Sequence, residues 1–370
     1  MTSLIAATAL AFAVPFALSV ALTALAMRVS SRLGFVDEPG GRKAHERPMP
    51  LGGGVAIFLA WALPVGALLA AAALLAPSQP QAEAGPVALK GLLAAAAGEA
   101  KPIGLVLAGG AVLMLLGVLD DLRGLSVPLR TVVMLGVAVG LYLLSPALRI
   151  TLFTGWAWLS LAYTVLWVFG ITNAFNFLDN TDGLSAGVAM VCSLLLGVVG
   201  VQTGQHLMTW LALALAGAAA GFLVFNFPPA KVYMGDAGSL FLGFTLSVLT
   251  ILFTFYKSGV APSGQLYGVL MPLFILAVPI FDTVTVVAIR LREGRPIWLG
   301  DRSHFSHRLL AIGMSKRETV LFIYLVSFCL GLASTLLNAL DVAGAVIIFI
   351  IGVTFLILIA LLERAGRRRN

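Results

Sequence analysis

Residues 184–202 read LSAGVAMVCSLLLGVVGVQ, 19 residues without one Asp, Glu, Lys or Arg. At about 1.5 Å of rise per residue, a helix of this length covers roughly the 30 Å of a bilayer's hydrocarbon core. The run is too long for a strand and has no period-two alternation, so it reads as a membrane helix and not as part of a β-barrel. Similar apolar runs stand at 3–27, 51–76, 103–119, 129–147, 156–175, 208–225, 237–256, 268–290, 318–337 and 342–362. The expected fold is all-α: a polytopic integral membrane helical bundle with about eleven transmembrane helices and a single transmembrane domain over 1–370. The segment 77–101, rich in Ala, Pro and Gly, reads as a loop with a short surface helix.

Composition agrees. The chain is 60% apolar and 11% charged, where a soluble domain has about 45–50% and about 25%. An ordinary soluble enzyme, a disordered chain and a disulfide scaffold are excluded; Cys192 and Cys329 both lie inside apolar runs. The first apolar run has no basic n-region and exceeds a signal peptide's core, so it reads as a membrane helix. The net charge of +7 reflects basic loops beside a membrane and not nucleic-acid binding.

Lys and Arg partition unevenly. Loops 28–50, 120–130, 171–183, 226–236 and 290–317 and the C-terminal tail hold 19 of the 23, leaving Lys90, Lys101, Arg149 and Lys257 opposite. The positive-inside rule makes the first face cytoplasmic, with the N-terminus outside and the C-terminus inside the cell inner (plasma) membrane. Thirteen of the 16 acids also lie on or beside that face. The rule does not account for acids, so a polar site is expected there.

Five stretches carry that polarity. DEPGGRKAHERPMPLGGG (37–54) sets Arg42, Lys43, His45 and Arg47 before three Gly that open a helix. Such Gly let backbone amides approach a phosphate, although a plain basic loop is the simpler alternative. GVLDDLRGLS (117–126) puts Asp120 and Asp121 at a helix C-terminus, where the dipole favours cations. Two adjacent carboxylates there need a cation, and Arg123, Arg130 or Mg2+ could supply it. NAFNFLDNTDGLSAG (173–187) repeats Asn173, Asn176, Asp179 and Asp182 every third residue, a slanted stripe if the helix continues that far. Amide and carboxylate oxygens are ligands that Mg2+ prefers. VYMGDAGSLFLGF (232–244) sets Asp236 before a helix, as a cap or as part of the site. DRSHFSHRLLAIGMS (301–315) holds Arg302, His304, His307 and Arg308, groups suited to an anion. Asp282, inside the run 268–290, is an acid at membrane depth that reads as lining the inner end of the site.

In combination these stretches resemble the polyprenyl-phosphate N-acetylhexosamine-1-phosphate transferases, from about position 34 to 315. The paired Asp, the Asn-Ala-x-Asn-x-x-Asp-x-x-Asp-Gly and the Gly-Asp-x-Gly-Ser stretches carry the likeness. The resemblance implies an active site built from the cytoplasmic loops 34–54, 120–130, 173–187, 226–240 and 290–315. It implies metal contacts on Asn176 and Asp236 and catalytic roles for Asp120, Asp121, Asp179 and Asp182. Substrate contacts are expected from Lys43, His45, Arg130, Asn173, Asp282, Arg302, His304, His307 and Arg308. The cofactor implied is Mg2+, with Mn2+ as a substitute. The implied partners are a UDP-N-acetylhexosamine, polyprenyl phosphate and the lipid bilayer, without nucleic acid and with a homodimer left open. The product would be a lipid-diphosphate-linked sugar with UMP, for cell-envelope polysaccharide synthesis. The helix count and the loop 301–315 point to the branch that uses UDP-N-acetylglucosamine.

Three positions depart from the family pattern: Arg130 where a Lys is common, Asn180-Thr181 where Gly-Leu is common, and Ser306 in place of the middle His of His-x-His-His. The chain also lacks the run of His found in phospho-N-acetylmuramoyl-pentapeptide transferases, one alternative function. The other, a secondary transporter, gains from Asp282 but not from acids gathered at one face.

Overall fold

A computed structural model describes residues 2–38, 48–75, 89–151, 155–253, 270–298, 303–337 and 339–367. Its helices are α1 (Thr2–Leu33), α2 (Gly53–Leu75), α3 (Leu89–Gly98), α4 (Ala100–Arg123), α5 (Val127–Leu144), α6 (Ala157–Leu178), α7 (Leu184–Gln202), α8 (His206–Asn226), α9 (Gly235–Leu252), α10 (Met271–Ile275), α11 (Ala277–Arg292), α12 (Phe305–Ala311), α13 (Lys316–Ser334) and α14 (Val342–Arg367). A two-residue antiparallel ladder, β1 (Val36–Asp37) against β2 (Met49–Pro50), draws together the two ends of the loop before α2. Among the described residues, ten helices are long and apolar enough to cross a membrane. The chain is a multi-pass helical membrane protein.

The segment 268–290 departs from expectation. Its described part is divided at Leu276 into α10 and α11. Pro279 has no N–H to give the Ile275 carbonyl four residues back, which removes one helical hydrogen bond across the break. The Cys192 thiol of α7 donates to that carbonyl instead, at 3.1 Å. The short helix expected within 77–101 is α3, which packs into the bundle and does not lie on its surface. Leu92, Leu93 and Ala96 of α3 are buried, and residues 76–88 lie outside the described set.

The centre of the bundle is α7, α8 and α9. Buried residues fill 78%, 78% and 83% of their apolar windows, against 22% in α1, α5 and α14, which therefore face lipid. Close crossings set the geometry around α9. A Cβ at Gly117 would meet the backbone of Ala237, and one at Gly54 the backbone of Gly238. These crossings bring the ends of α2, α4 and α9 to one place.

Candidate active site

Four helix ends meet at one end of the bundle, and the acids gather there. Asp121, in the last turn of α4, faces the first turn of α9. Its Oδ1 accepts the Asp236 N–H at 3.0 Å and its Oδ2 the Ala237 N–H at 3.4 Å. A carboxylate that is misplaced on its own helix dipole is thus well placed on another's positive end. Gly235 makes this approach possible: it has φ +66°, and a Cβ there would strike the Asp121 carboxylate.

Asp120 is held differently. Its Oδ1 accepts the Leu125 N–H at 2.6 Å, and its Oδ2 pairs with Arg130 at the start of α5. The same Arg130 Nη1 donates to Asp236 Oδ2 at 3.0 Å, so one guanidinium joins two carboxylates. Of the cations expected for the Asp pair, Arg130 is in place on Asp120, while Asp121 is held by backbone amides.

Asn176, two residues before the end of α6, donates from Nδ2 to Asp236 Oδ1 at 2.8 Å and to Ser239 Oγ at 3.0 Å. The stripe expected from 173 to 182 is broken, because α6 ends at Leu178. Asn173 turns back to the Phe169 carbonyl of its own helix, at 2.8 Å. Asp179 caps α6 and Asp182 lies on the following turn. Burial, with Asp236, Asp121 and Asp182 around it, pushes the Asp179 carboxyl well above the usual carboxylate range. Burial, with Asp182, Asp37 and Asp179 nearby, pushes the Tyr233 hydroxyl up to about 12. Asp182 accepts the Ala230 N–H at 3.3 Å and stands 3.6 Å from Lys316 Nζ.

The glycines that open α2 do not cradle a phosphate. The Gly53 and Gly54 N–H groups donate to the Tyr233 and Met234 carbonyls at 3.2 and 3.0 Å. Their smallness instead admits Phe222 and Gly238.

The histidine half is a separate, buried network. Asp282, wholly buried on α11, accepts the Phe305 N–H at 2.6 Å and so anchors the start of α12. Its other oxygen is 2.8 Å from His304 Nδ1. A carboxylate cannot donate, so Nδ1 carries the proton and Nε2 accepts from the Arg290 guanidinium at 3.4 Å. Both ring nitrogens of His304 are thus held by protein, and Asp282 does not line an open site. His307 lies edge-on to His304, with ring centroids 6.4 Å apart. Arg308, expected on a donor phosphate, is buried elsewhere. It pairs with Glu363 of α14 at 2.8 Å and donates to the Ser303 carbonyl and Thr285 hydroxyl at 2.6 and 3.2 Å. Lys43, His45 and Arg302 lie outside the described residues.

Several partners were not foreseen. Arg290 and Glu363 are buried in their pairings, and Asn226 links the Gly183 N–H to the Val232 carbonyl at 2.9 and 2.8 Å. Each looks in sequence like an ordinary polar residue at a helix end.

Among the described residues, no three His, Cys, Asp or Glu side chains form a ready metal cage. Mg2+ does not require one, because it keeps waters and takes one or two carboxylates plus substrate phosphates. The Asp236 carboxylate and the Asn176 amide oxygen are a hard-oxygen set of that kind, with the Asp121, Asp179 and Asp182 carboxylates around them. The donor set fits such an ion.

Known proteins match this chain along most of its length. Residues 103–254 match the model of glycosyl transferase family 4. A Bacillus subtilis protein named "probable undecaprenyl-phosphate N-acetylglucosaminyl 1-phosphate transferase" is 33% identical over 358 residues, covering 95% of this chain and 90% of that one. The decaprenyl-phosphate N-acetylglucosaminephosphotransferase of Mycobacterium tuberculosis is 32% identical, covering 91% and 84%. The undecaprenyl-phosphate alpha-N-acetylglucosaminyl 1-phosphate transferase of Yersinia pestis is 28% identical, covering 90% and 84%. With such identity over nearly the whole chain, and with the paired Asp, the Asn-rich stretch and Gly-Asp brought together at one site, the chain belongs to glycosyl transferase family 4, on the branch that holds these polyprenyl-phosphate N-acetylglucosaminyl 1-phosphate transferases.

Proposed function

We propose that this chain transfers N-acetylglucosamine 1-phosphate, or a close N-acetylhexosamine analogue, from a UDP-sugar to undecaprenyl or a related polyprenyl phosphate, with Mg2+. The observation that carries this reading is the acid cluster of Asp120, Arg130, Asn176 and Asp236, in a chain whose relatives bear names of that activity.

An oxygen of the lipid phosphate attacks the sugar-bearing phosphorus of the donor and forms a new P–O bond. The bond from that phosphorus to the UMP oxygen breaks, and UMP leaves with the electron pair. The second pKa of a phosphomonoester is about 6, so most of the nucleophile is already dianionic at neutral pH. A general base has little to remove, and the chief barrier is repulsion between anions. Asn176 and Asp236 would hold the Mg2+, which when bound supplies charge neutralisation at the phosphates. Asp121 aims Asp236 by fixing the start of α9, and Asp120 holds Arg130 where an anionic donor can meet it. Asp182 adds negative charge beside the cation, and Asp179 ionises as the cation binds. Lys43, His45, Arg302 and His307 are assigned to the anionic substrates.

The site faces the cytoplasm of the plasma (inner) membrane, with the N-terminus outside; a reporter fused after Asn370 should give a cytoplasmic signal, and an external one would reverse this orientation. The short loops between helices suit a compact sugar better than a muramoyl-pentapeptide. Purified protein, undecaprenyl phosphate, Mg2+ and UDP-N-acetylglucosamine should together yield UMP and a lipid-diphosphate sugar. Absence of the lipid product would refute the activity, and faster UMP release from the muramoyl-pentapeptide nucleotide would refute the donor.

A further inference from the structure

The three residues that depart from the family pattern around the histidine loop touch one another. Ser306, wholly buried on α12, donates its hydroxyl to Asn180 Oδ1 at 2.5 Å. Thr181 Oγ1 lies 3.1 Å from Ser306 Oγ and 3.0 Å from Asn180 Oδ1. Asn180 is itself fixed by donating from Nδ2 to the Phe177 carbonyl at 2.7 Å, at the end of α6. A dipeptide and a serine that are about 125 residues apart in sequence thus form one closed polar cluster.

Its place gives it leverage. Asn180 and Thr181 stand between Asp179 and Asp182, and Ser306 stands between His304 and His307. The cluster is a direct side-chain link from the loop bearing the acids to the helix bearing the histidines. Phe177 reinforces it from the α6 side: its ring lies edge-on to His304, with centroids 6.0 Å apart, and the Arg290 guanidinium lies 5.4 Å from the ring centroid. A Gly-Leu pair could accept no side-chain hydroxyl bond, so Ser306 would be left with a buried, unsatisfied hydroxyl. Asn180-Thr181 and Ser306 make sense only together.

We propose that Asn180, Thr181 and Ser306 are positioning residues that lock the His304/His307 helix to the Asp179/Asp182 loop and thereby set the affinity for the sugar-nucleotide donor. The inference rests on the transferase function proposed above. The hydroxyls of this joint hold the loop of Asp179 and Asp182 against the helix that bears His307, one of the groups assigned to the anionic substrates.

The test uses the full-length protein and near-isosteric variants. Thr181→Val keeps the shape and removes the hydroxyl, and Ser306→Ala removes the other. Each should raise the KM for UDP-N-acetylglucosamine about 3- to 10-fold, the scale of one hydrogen bond, with the KM for undecaprenyl phosphate changed by less than about twofold, a shift too small to count as a lost bond. Thr181→Ser, which restores a hydroxyl, should recover most of the loss. The double variant Thr181→Val/Ser306→Ala should be no worse than Ser306→Ala alone, because Ser306→Ala already removes both bonds across the joint. Thermal melting of the same four proteins gives a second, activity-free cycle. Additive effects in either cycle, or equal rises in both KM values, would overturn the inference. A wild-type protein inactive on this donor would refute the proposed function, and the melting cycle alone would then decide the joint.

Discussion

The two halves of the site are built on opposite plans. In the acid half, Asp236 and Arg130 keep 29% of their side-chain surface exposed, and one guanidinium serves two carboxylates. In the histidine half, Arg308 and Glu363 are 3% and 4% exposed, Asp282 is wholly buried, and His304 is held at both ring nitrogens. A partly exposed carboxylate that shares its cation can exchange partners with an incoming ion or phosphate at lower cost than a buried pair. A buried, ion-paired network cannot, since a charged group taken from it leaves its partner uncompensated. Cation binding is assigned to the first half, and in the second Asp282, His304, Arg308 and Glu363 act as support.

Variants separate the two roles. Asp236→Ala and Asn176→Ala should each reduce turnover about 100- to 1,000-fold, the scale of losing one charge-stabilising group. Their melting temperatures should stay near wild type, and near-normal turnover at limiting Mg2+ would remove both from the chemistry. In the other half the pattern should reverse. Arg308→Ala or Glu363→Ala leaves one buried charge without its main partner and should cost about 3–5 kcal/mol of stability. Replacing both with apolar residues, Arg308→Met with Glu363→Leu, should recover much of that loss. A donor KM defect in Arg308→Ala without a fall in melting temperature would return Arg308 to the donor site.

The smallest effect expected is one of pH. The Asp179 carboxyl sits well above its usual range in the metal-free site, so it retains its proton to a higher pH than in the unfolded chain. Between the unfolded and folded values the native state binds more protons, and this group's contribution to stability therefore falls as pH rises. Cation binding prefers the ionised form. The Mg2+ concentration for half-maximal turnover should then rise as pH is lowered, and Asp179→Asn should flatten that dependence. A requirement independent of pH in the wild type would separate Asp179 from the cation.

The contrast also explains what could be read in the sequence. Membrane helices follow from local runs, and the acids of the exchangeable half announce themselves as charges where a bilayer protein rarely keeps them. Even the break at Leu276 had a local cause in Pro279, hidden because the apolar run continues through it. The supporting half left no such mark. Arg308 and Glu363 are 55 positions apart, and nothing near either says that they meet. Arg308 among basic loop residues looks like a phosphate ligand, and only its burial shows that it is engaged elsewhere. The mismatch of Asp121 with its own helix dipole was legible, but its resolution by the first turn of α9 depended on a helix crossing that sequence does not display.

Divalent-cation binding compared across the two halves is the most direct test. Mn2+ can stand in for Mg2+, and electron paramagnetic resonance counts free Mn2+ as protein with UDP-N-acetylglucosamine is titrated. Wild type should bind one Mn2+ per chain, Asp236→Ala and Asn176→Ala should lose it, and Asp282→Asn should retain it wherever the protein stays folded. Mn2+ binding that survives Asp236→Ala, or disappears in a folded Asp282→Asn protein, would contradict the division of labour between the two halves.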